Sequence, residues 1–401
     1  EWGVMDFKKL ALDIEDQIIS WRRELHQIPE TQLNLPETNE YIKNELDKMG
    51  IEYRSGLANS GIAATIWAGD DNSKTFAVRT DMDALEIKEE TCLEFASTHE
   101  GKMHACGHDS HMAMALGVAK IASENQDKLS GNLKIIFQPA EEGPGGAKPM
   151  IEEGVLEDPK VDAIVGLHIG TIFKQVKPGQ IGISKGATMA CLDDFQLEVK
   201  GKGGHGAMPD ITVDPVAVSA SIIQELQTLI SREIPPYRPG VISVCKIHGG
   251  SAYNVIPDKV KMEGTARFIH EEQRKEISKR MGEVAENVAK ARRAEVDFNY
   301  NFGYPPLFNP LEFTEYFKGV ASTVLDEEDI VEIKEPVMGG EDMAYFLNEV
   351  PGTFFFLGGG KEIDGEIHSH HNPKFDIDES VFYLGTALMA KTAFDWLDKN
   401  K

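Results

Sequence analysis

The chain has little of several things, and each shortage excludes a class of protein. Only four cysteines occur among 401 residues, too few and too scattered for a disulfide framework. Basic residues number 41 against 66 acidic ones, and the net charge of -25 leaves no basic stripe for a nucleic-acid backbone. No apolar run approaches the length of a membrane span, and no signal-peptide pattern is visible. These shortages predict a cytoplasmic protein that binds neither nucleic acid nor membrane.

The length of the chain and the pattern of its hydrophobic residues predict two domains. A chain of 401 residues exceeds the size at which single cores stop growing. Residues 1–192 and 303–401 carry short β-rich runs separated by helical patterns, which is typical of an α/β domain with a mostly parallel central sheet. Residues 193–302 follow the order β-α-β-β-α-β of a ferredoxin-like α+β sandwich, which we expect to be inserted into the first domain. Whether Glu1–Val4, ahead of the first methionine, are native stays open.

The densest concentration of reactive side chains lies in the run Met103–His111. It contains His104, Cys106, His108 and His111, directly ahead of a helical pattern. Thiolate and imidazole groups at short spacing are the ligands that a borderline divalent ion such as zinc selects. We predict that Cys106 and His108 are ligands, and that the start of the helix lowers the pKa of the thiol. The other two histidines are expected to have structural or supporting roles.

Further polar residues follow the β-rich runs at their carboxyl ends, where ligands bind in open α/β sheets. They are Asp83, Glu141, Glu142, His168, His370 and His371. Neighbouring side chains on extended backbone point in opposite directions. One carboxylate of the Glu141–Glu142 pair could therefore hold a metal ion while the other accepts a proton from water. The polar residues at the carboxyl ends of these β-rich runs therefore predict one site for metal-assisted hydrolysis.

The inserted domain contributes weaker candidates. His205 lies in a glycine-rich loop, Asn254 lies in a second glycine-containing segment, and Arg267 lies at the end of a predicted strand. None of the three is specific alone. Together they offer neutral and cationic donors suited to an oxyanion and a carboxylate.

Taken together, these motifs resemble the M20 metallopeptidase clan, in its amidohydrolase branch of N-acyl-amino-acid, hippurate and auxin-conjugate hydrolases. The resemblance runs in order along nearly the whole chain and includes the inserted lid domain. The motifs are His104-Ala-Cys-Gly-His-Asp109, Pro139-Ala-Glu-Glu142, Gly166-Leu-His168, Gly203-Gly-His205-Gly-Ala-Met-Pro209, Asn254-Val-Ile-Pro257, Gly339-Gly-Glu-Asp342 and His371-Asn-Pro373.

The resemblance implies a dinuclear site with two divalent ions per subunit, of zinc, manganese, nickel or cobalt. The implied ligands are Cys106, His108, Glu142, His168 and His371. Cys106 would bridge the ions, Glu141 would be the general base, and Asp83 would orient a ligand histidine. His370 stays open as the alternative to His371, which is preferred because it directly precedes Asn-Pro.

The activity implied is hydrolysis of the amide bond of N-acyl amino acids, releasing a carboxylic acid and a free amino acid. His205 of a neighbouring subunit would stabilise the oxyanion, and Asn254 and Arg267 would hold the substrate carboxylate. The resemblance also implies a homodimer or tetramer. Two alternatives stay open: a dipeptidase or aminoacylase of the same clan, and a metal-binding scaffold without turnover. Glu141 argues against the scaffold, because a pure metal site does not need it.

Overall fold

The structure is a computed structural model that describes residues 5–69, 73–363 and 365–401, so Glu1–Val4 lie outside the described residues. The chain divides into two compact units. The first comprises residues up to Gly186, Asn309–Glu335 and Tyr345–Lys401, and the second comprises Ala187–Phe308 and Pro336–Ala344. The second unit therefore extends past the predicted range 193–302 at both ends and takes in a separate later segment.

Helices and strands alternate along most of the chain, and the following elements belong to the two units together. The α-helices are α1 (Phe7–Leu12), α2 (Glu15–His26), α3 (Pro36–Met49), α4 (His108–Glu124), α5 (Ala147–Glu152), α6 (Pro215–Thr228), α7 (Glu271–Ala291), α8 (Leu311–Ala321), α9 (Met343–Glu349) and α10 (Phe382–Lys399). The strands are β1 (Glu52–Leu57), β2 (Gly61–Ile66), β3 (Thr75–Asp81), β4 (Asn132–Gln138), β5 (Ala163–Gly170), β6 (Ile181–Ser184), β7 (Gly186–Met189), β8 (Asp193–Lys200), β9 (Gly204–His205), β10 (Gly240–Gly249), β11 (Val255–Ile256), β12 (Lys259–Phe268), β13 (Glu295–Asn301), β14 (Leu307–Asn309), β15 (Ile330–Ile333), β16 (Gly352–Gly358), β17 (Glu362–Ile363) and β18 (Glu366–Ile367).

The first unit is built on an eight-stranded sheet in the order β1-β2-β4-β3-β5-β16-β6-β15. Its centre is parallel, since β4, β3, β5 and β16 pair in parallel with their neighbours in that series. Every residue of these four strands is buried, as is typical of parallel strands covered on both faces of a sheet. The prediction of an α/β domain with a mostly parallel sheet is confirmed. The carboxyl ends of β3, β4 and β5 consequently lie at one edge.

Helix α4 places the Met103–His111 run against this sheet. It packs on α2, α10 and β3, and nearly all of its residues are buried. It begins at His108, directly after Gly107, whose φ is +92°. A Cβ at Gly107 would lie 2.7 Å from Ile377 Cδ1, so glycine fits both the left-handed backbone and the available space. The sharp turn here separates Cys106 from the helix that carries His108.

The second unit contains the predicted ferredoxin-like sandwich. The series β8-α6-β10-β12-α7-β13 forms an antiparallel sheet in the order β10-β12-β8-β13, which confirms the prediction. Helix α6 begins with Pro215 under a side-chain cap from Asp214. It ends at Thr228, where the chain continues as a wider π-helical turn over Leu229–Glu233. A separate ribbon pairs β9 with β11.

Among the described residues, no helix combines the length and apolarity that crossing a bilayer requires.

Candidate metal centre

Side chains from four segments of the first unit meet near the carboxyl ends of β3, β4 and β5. Cys106 lies at the meeting point. Its Sγ is 3.4 Å from His168 Nε2 and 3.6 Å from His370 Nδ1. The same sulfur also forms a second possible ligand group with Glu142 and His371, whose ligand atoms lie within 4.8 Å of one another. The cysteine is therefore shared by two neighbouring groups.

His108 supplies the observation that best fits a bound cation. Its Nδ1–H donates to the backbone carbonyl of Asp83 at 2.8 Å. Its Nε2 is buried and has no hydrogen-bond partner among the described residues. This nitrogen lies 3.9 Å from Glu141 Oε2 and 4.0 Å from Glu142 Oε1. A buried lone pair facing two carboxylates costs free energy unless a cation joins them, so these residues fit a divalent ion.

Electrostatics at His108 support the same conclusion. Although burial disfavours the charged ring, the carboxylates of Asp81 and Asp83 raise the pKa of His108 to about 10. A negative field that favours a proton on this nitrogen also favours a divalent cation in its place.

The histidines are of two kinds: some have one ring nitrogen hydrogen-bonded to the backbone and present the other to the site, and one has both ring nitrogens hydrogen-bonded to the protein. His168 donates its Nδ1–H to the carbonyl oxygen of Ile169 at 2.8 Å, which leaves the lone pair on Nε2, as in His108. His111 is arranged in reverse. Its Nε2 accepts the Ile169 N–H at 2.9 Å, and its Nδ1–H donates to Asp81 Oδ1 at 2.6 Å. Because both nitrogens of His111 are engaged by protein, it supports the site without presenting a lone pair.

The structure brings both His370 and His371 to the cluster, on different sides. His370 is largely buried, and burial lowers its pKa to about 3. His371 is half-exposed, and its Nε2 lies 3.1 Å from Glu142 Oε1. That hydrogen bond raises the pKa of His371.

The Glu141–Glu142 pair lies in a turn, so the expectation of extended backbone with opposed side chains is wrong. The turn follows β4 and begins at Ala140, whose φ is +57°. It is held by Asp83, whose Oδ1 and Oδ2 accept the backbone N–H groups of Glu141 and Glu142 at 2.9 Å each. Asp83 thus orients His108 through its main-chain carbonyl and both glutamates through its carboxylate.

The Cys106 thiol differs from the prediction made from its place near a helix start. Burial, followed by the carboxylates of Glu142 and Glu141, raises its pKa well above the ordinary value. A helix terminus contributes only about 0.3–1 kcal/mol at most sites, which is small beside the desolvation of a buried thiolate. The thiolate form therefore needs a cation close to the sulfur.

Sequence reasoning missed a buried ionic network that anchors the start of α4. Asp109 accepts from Arg22 Nε at 2.9 Å and from His26 Nδ1 at 2.7 Å. The i, i+4 spacing of Arg22 and His26 on α2 was the available signal. His104 is buried nearby with no partner for either ring nitrogen among the described residues, and burial lowers its pKa to about 3.

The remaining predicted residues belong to the second unit, whereas the ligand groups belong to the first. His205 is exposed on β9, and the Gly206 N–H donates to the carbonyl of Asn254 at 2.8 Å, so one ribbon brings His205 and Asn254 side by side. Arg267 lies on β12, where its Nη1 donates to the carbonyl of Asp193 at 3.2 Å. This contact holds the guanidinium against its own sheet.

An α/β domain with adjoining Cys/His and His/Glu groups at its strand ends fits a metal-dependent hydrolase. The sequence profile described as Peptidase family M20/M25/M40 matches residues 77–395, and the chain belongs to this family.

Similar proteins agree with this assignment. The chain is 38% identical over 388 residues to N-acetyl-L-cysteine deacetylase of Bacillus subtilis, covering 97% of this chain and 90% of that protein. It is 39% identical over 400 residues to Thermostable carboxypeptidase 1 of Saccharolobus solfataricus, covering 99% of each. A solved structure of the Bacillus subtilis YXEP protein, described as a dinuclear metal binding peptidase from the M20 family, matches with a TM-score of 0.82 and 32% identity. That match covers 96% of this chain and 99% of the other.

Proposed function

We propose that this protein is an amidohydrolase that cleaves the amide bond of N-acyl amino acids, releasing a carboxylic acid and a free amino acid. The family assignment and the deacetylase relative, whose named substrate is an N-acyl amino acid, support this substrate class. The observation that carries the proposal is the buried, unpaired Nε2 of His108 facing two carboxylates. That arrangement suits a cation and an acid–base group in one site.

The proposed ligands of two divalent ions per subunit are Cys106, His108, Glu142, His168 and His371. Cys106, whose Sγ lies 3.4 Å from His168 Nε2 and which also groups with Glu142 and His371, would contribute to holding both ions. His108 and His168 each donate Nδ1–H to a backbone carbonyl, which fixes the tautomer that presents Nε2. Zinc, manganese, nickel and cobalt all accept this donor set. When bound, such ions lower the pKa of water and polarise the amide carbonyl.

Glu141 is proposed as the general base. Glu142 lies between two histidines, 4.0 Å from His108 Nε2 and 3.1 Å from His371 Nε2, and this position supports a role as a ligand. Glu141 Oε2 lies 3.9 Å from His108 Nε2, and its backbone N–H is held by the Asp83 carboxylate. Its carboxylate would take a proton from the attacking water and return it to the leaving amine.

The second unit would supply substrate contacts. His205 would stabilise the oxyanion, with Asn254 and Arg267 binding the substrate carboxylate. We further propose a homodimer or tetramer in which His205 serves a neighbouring subunit. A cytoplasmic location is proposed as well, because all four cysteines are free thiols and two are exposed.

Replacing each glutamate in turn tests the division of labour. Glu141→Gln should abolish turnover while the metal content per chain stays at the wild-type level, because only the proton acceptor is removed. Glu142→Gln is the matched control and should lose metal. Elemental analysis and hydrolysis of N-acetyl amino acids measure both. Wild-type activity in Glu141→Gln would rule out its role as the base.

A peptidase acting on substrates with a free amine is the second candidate. The carboxypeptidase relative, at 39% identity over the whole chain, favours it. A panel of hippurate, N-acetyl amino acids and dipeptides separates the two, since the proposed function predicts higher kcat/KM for the acylated compounds.

A further inference from the structure

His370 occupies a cradle that fixes its ring beside the candidate metal centre. Its ring centroid lies 4.7 Å from that of Phe375 and 5.1 Å from that of His168. The third wall is Gly170, with φ of +127°. A Cβ at Gly170 would lie 2.3 Å from Cε1 and Nε2 of His370, so the absence of a side chain there makes room for the imidazole. The ring is held in one place by packing.

Hydrogen bonds then fix where its proton lies. Nε2 of His370 accepts the backbone N–H of Thr171 at 2.9 Å, so this nitrogen carries the lone pair. A neutral imidazole has a single N–H, which must therefore be on Nδ1. That nitrogen faces Cys106 Sγ at 3.6 Å, within reach of a sulfur acceptor because sulfur has a larger radius than oxygen.

We propose that His370 is a positioning residue that donates an Nδ1–H hydrogen bond to the sulfur of Cys106 and does not itself bind a metal ion. The inference rests on the proposed function, in which Cys106 is a ligand. A ligand histidine presents a lone pair at one nitrogen and donates N–H from the other. At His370 the nitrogen nearest the cluster is the one that carries hydrogen, the reverse of the arrangement in His168. This leaves His371 as the ligand of the pair.

The hydrogen bond has a defined consequence for the cysteine. A donor aimed at a thiolate withdraws electron density from sulfur and fixes the direction of its remaining lone pairs. Two groups then flank the sulfur of Cys106, His168 through a lone pair and His370 through N–H. Removing the donor should leave the ion count unchanged and alter the electronic properties of the metal–thiolate bond.

Cobalt-loaded protein gives a readout that does not depend on activity. His370→Phe removes the donor and keeps an aromatic ring against Phe375, and His370→Asn places an amide N–H close to the position of Nδ1. We expect His370→Phe to bind as many cobalt ions per chain as wild type, with its thiolate-to-cobalt charge-transfer band shifted to lower energy. His370→Asn should return the band towards the wild-type position. His371→Phe, the ligand control, should bind fewer ions.

A further variant and the spectrum of the wild-type protein distinguish failure of this proposal from failure of the proposed metal site. Gly170→Ala leaves the imidazole intact but displaces it, so it should shift the band in the same direction as His370→Phe. Loss of an ion in His370→Phe with full loading of His371→Phe would overturn the proposal, as would a band unmoved in both His370→Phe and Gly170→Ala. If wild-type protein binds cobalt without any thiolate band, Cys106 is not a ligand and the proposed metal site itself fails.

Discussion

Asp83→Asn tests whether one buried carboxylate holds the turn that carries both glutamates of the site. The Asp83 side chain is 1% exposed, and its two oxygens accept the N–H groups of Glu141 and Glu142. Asparagine has one acceptor oxygen, so one buried N–H would face an amide NH2 group. His108 keeps its partner in the variant, because it donates to the main-chain carbonyl of residue 83.

The size of the effect follows from these contacts. A hydrogen bond to a charged acceptor is worth about 1.5–3 kcal/mol. Burial raises the pKa of Asp83, and the nearby Glu142 carboxylate raises it further, so a neutral side chain relieves some repulsion. We therefore expect a loss near the lower end, about 2 kcal/mol in the free energy of unfolding. Misplacing a catalytic group by about 1 Å can cost on the order of 100-fold in rate, and we expect kcat/KM to fall by about that factor.

Urea denaturation and hydrolysis of an N-acetyl amino acid measure the two effects, with metal content determined in parallel. Asp162→Asn is a matched control, because Asp162 Oδ2 accepts the Thr75 N–H at 3.0 Å, at the opposite end of β3. The control should lose some stability and keep full activity. Wild-type kcat/KM in Asp83→Asn would refute the role assigned to the carboxylate, and equal activity losses in both variants would indicate general destabilisation.

Two further predictions concern pH and metal removal. Although burial opposes it, hydrogen bonds to Asp109 and Glu89 raise the pKa of His26 above 6.5, so its stabilising charge is fully present below pH 6.5 and is lost as pH rises through the folded-state pKa. Urea denaturation across that range should show a steeper decline in unfolding free energy for wild type than for His26→Gln, and parallel profiles would contradict this assignment. A chelator should abolish hydrolysis and leave the far-UV circular dichroism unchanged. None of the proposed metal-binding residues belongs to the apolar core of the first unit, so the fold should persist without the ions. Zinc, manganese, nickel or cobalt should restore turnover, and chelator-resistant hydrolysis would argue against a metal-dependent reaction.

Elements with strong periodicity were predicted well from the sequence. The order β-α-β-β-α-β predicted for residues 193–302 is found, with Lys259–Phe268 as one of its strands and Glu271–Ala291 as its second helix. The buried strands run further than their apolar residues, since β3 extends to Asp81 and β5 to Gly170. Polar residues can end a buried strand when tertiary partners satisfy them, and those partners lie far away in the chain.

The orientation of the glutamate pair was not predictable in the same way. It depends on Ala140 at φ +57°, a conformation that few residues other than glycine adopt. No local sequence pattern indicates it, because the conformation is held by hydrogen bonds from the turn to Asp83, in the segment that follows β3.

The sequence by itself determined the kinds of candidate ligand and the edge of the sheet where they lie, because both follow from local residue types and from strand ends. It did not decide which imidazoles present a lone pair. Adjacent histidines such as His370 and His371 look alike in sequence, and their roles depend on distant partners, the N–H of Thr171 for one and the carboxylate of Glu142 for the other. A tautomer is set by whatever the second nitrogen contacts, and only the folded chain supplies that contact.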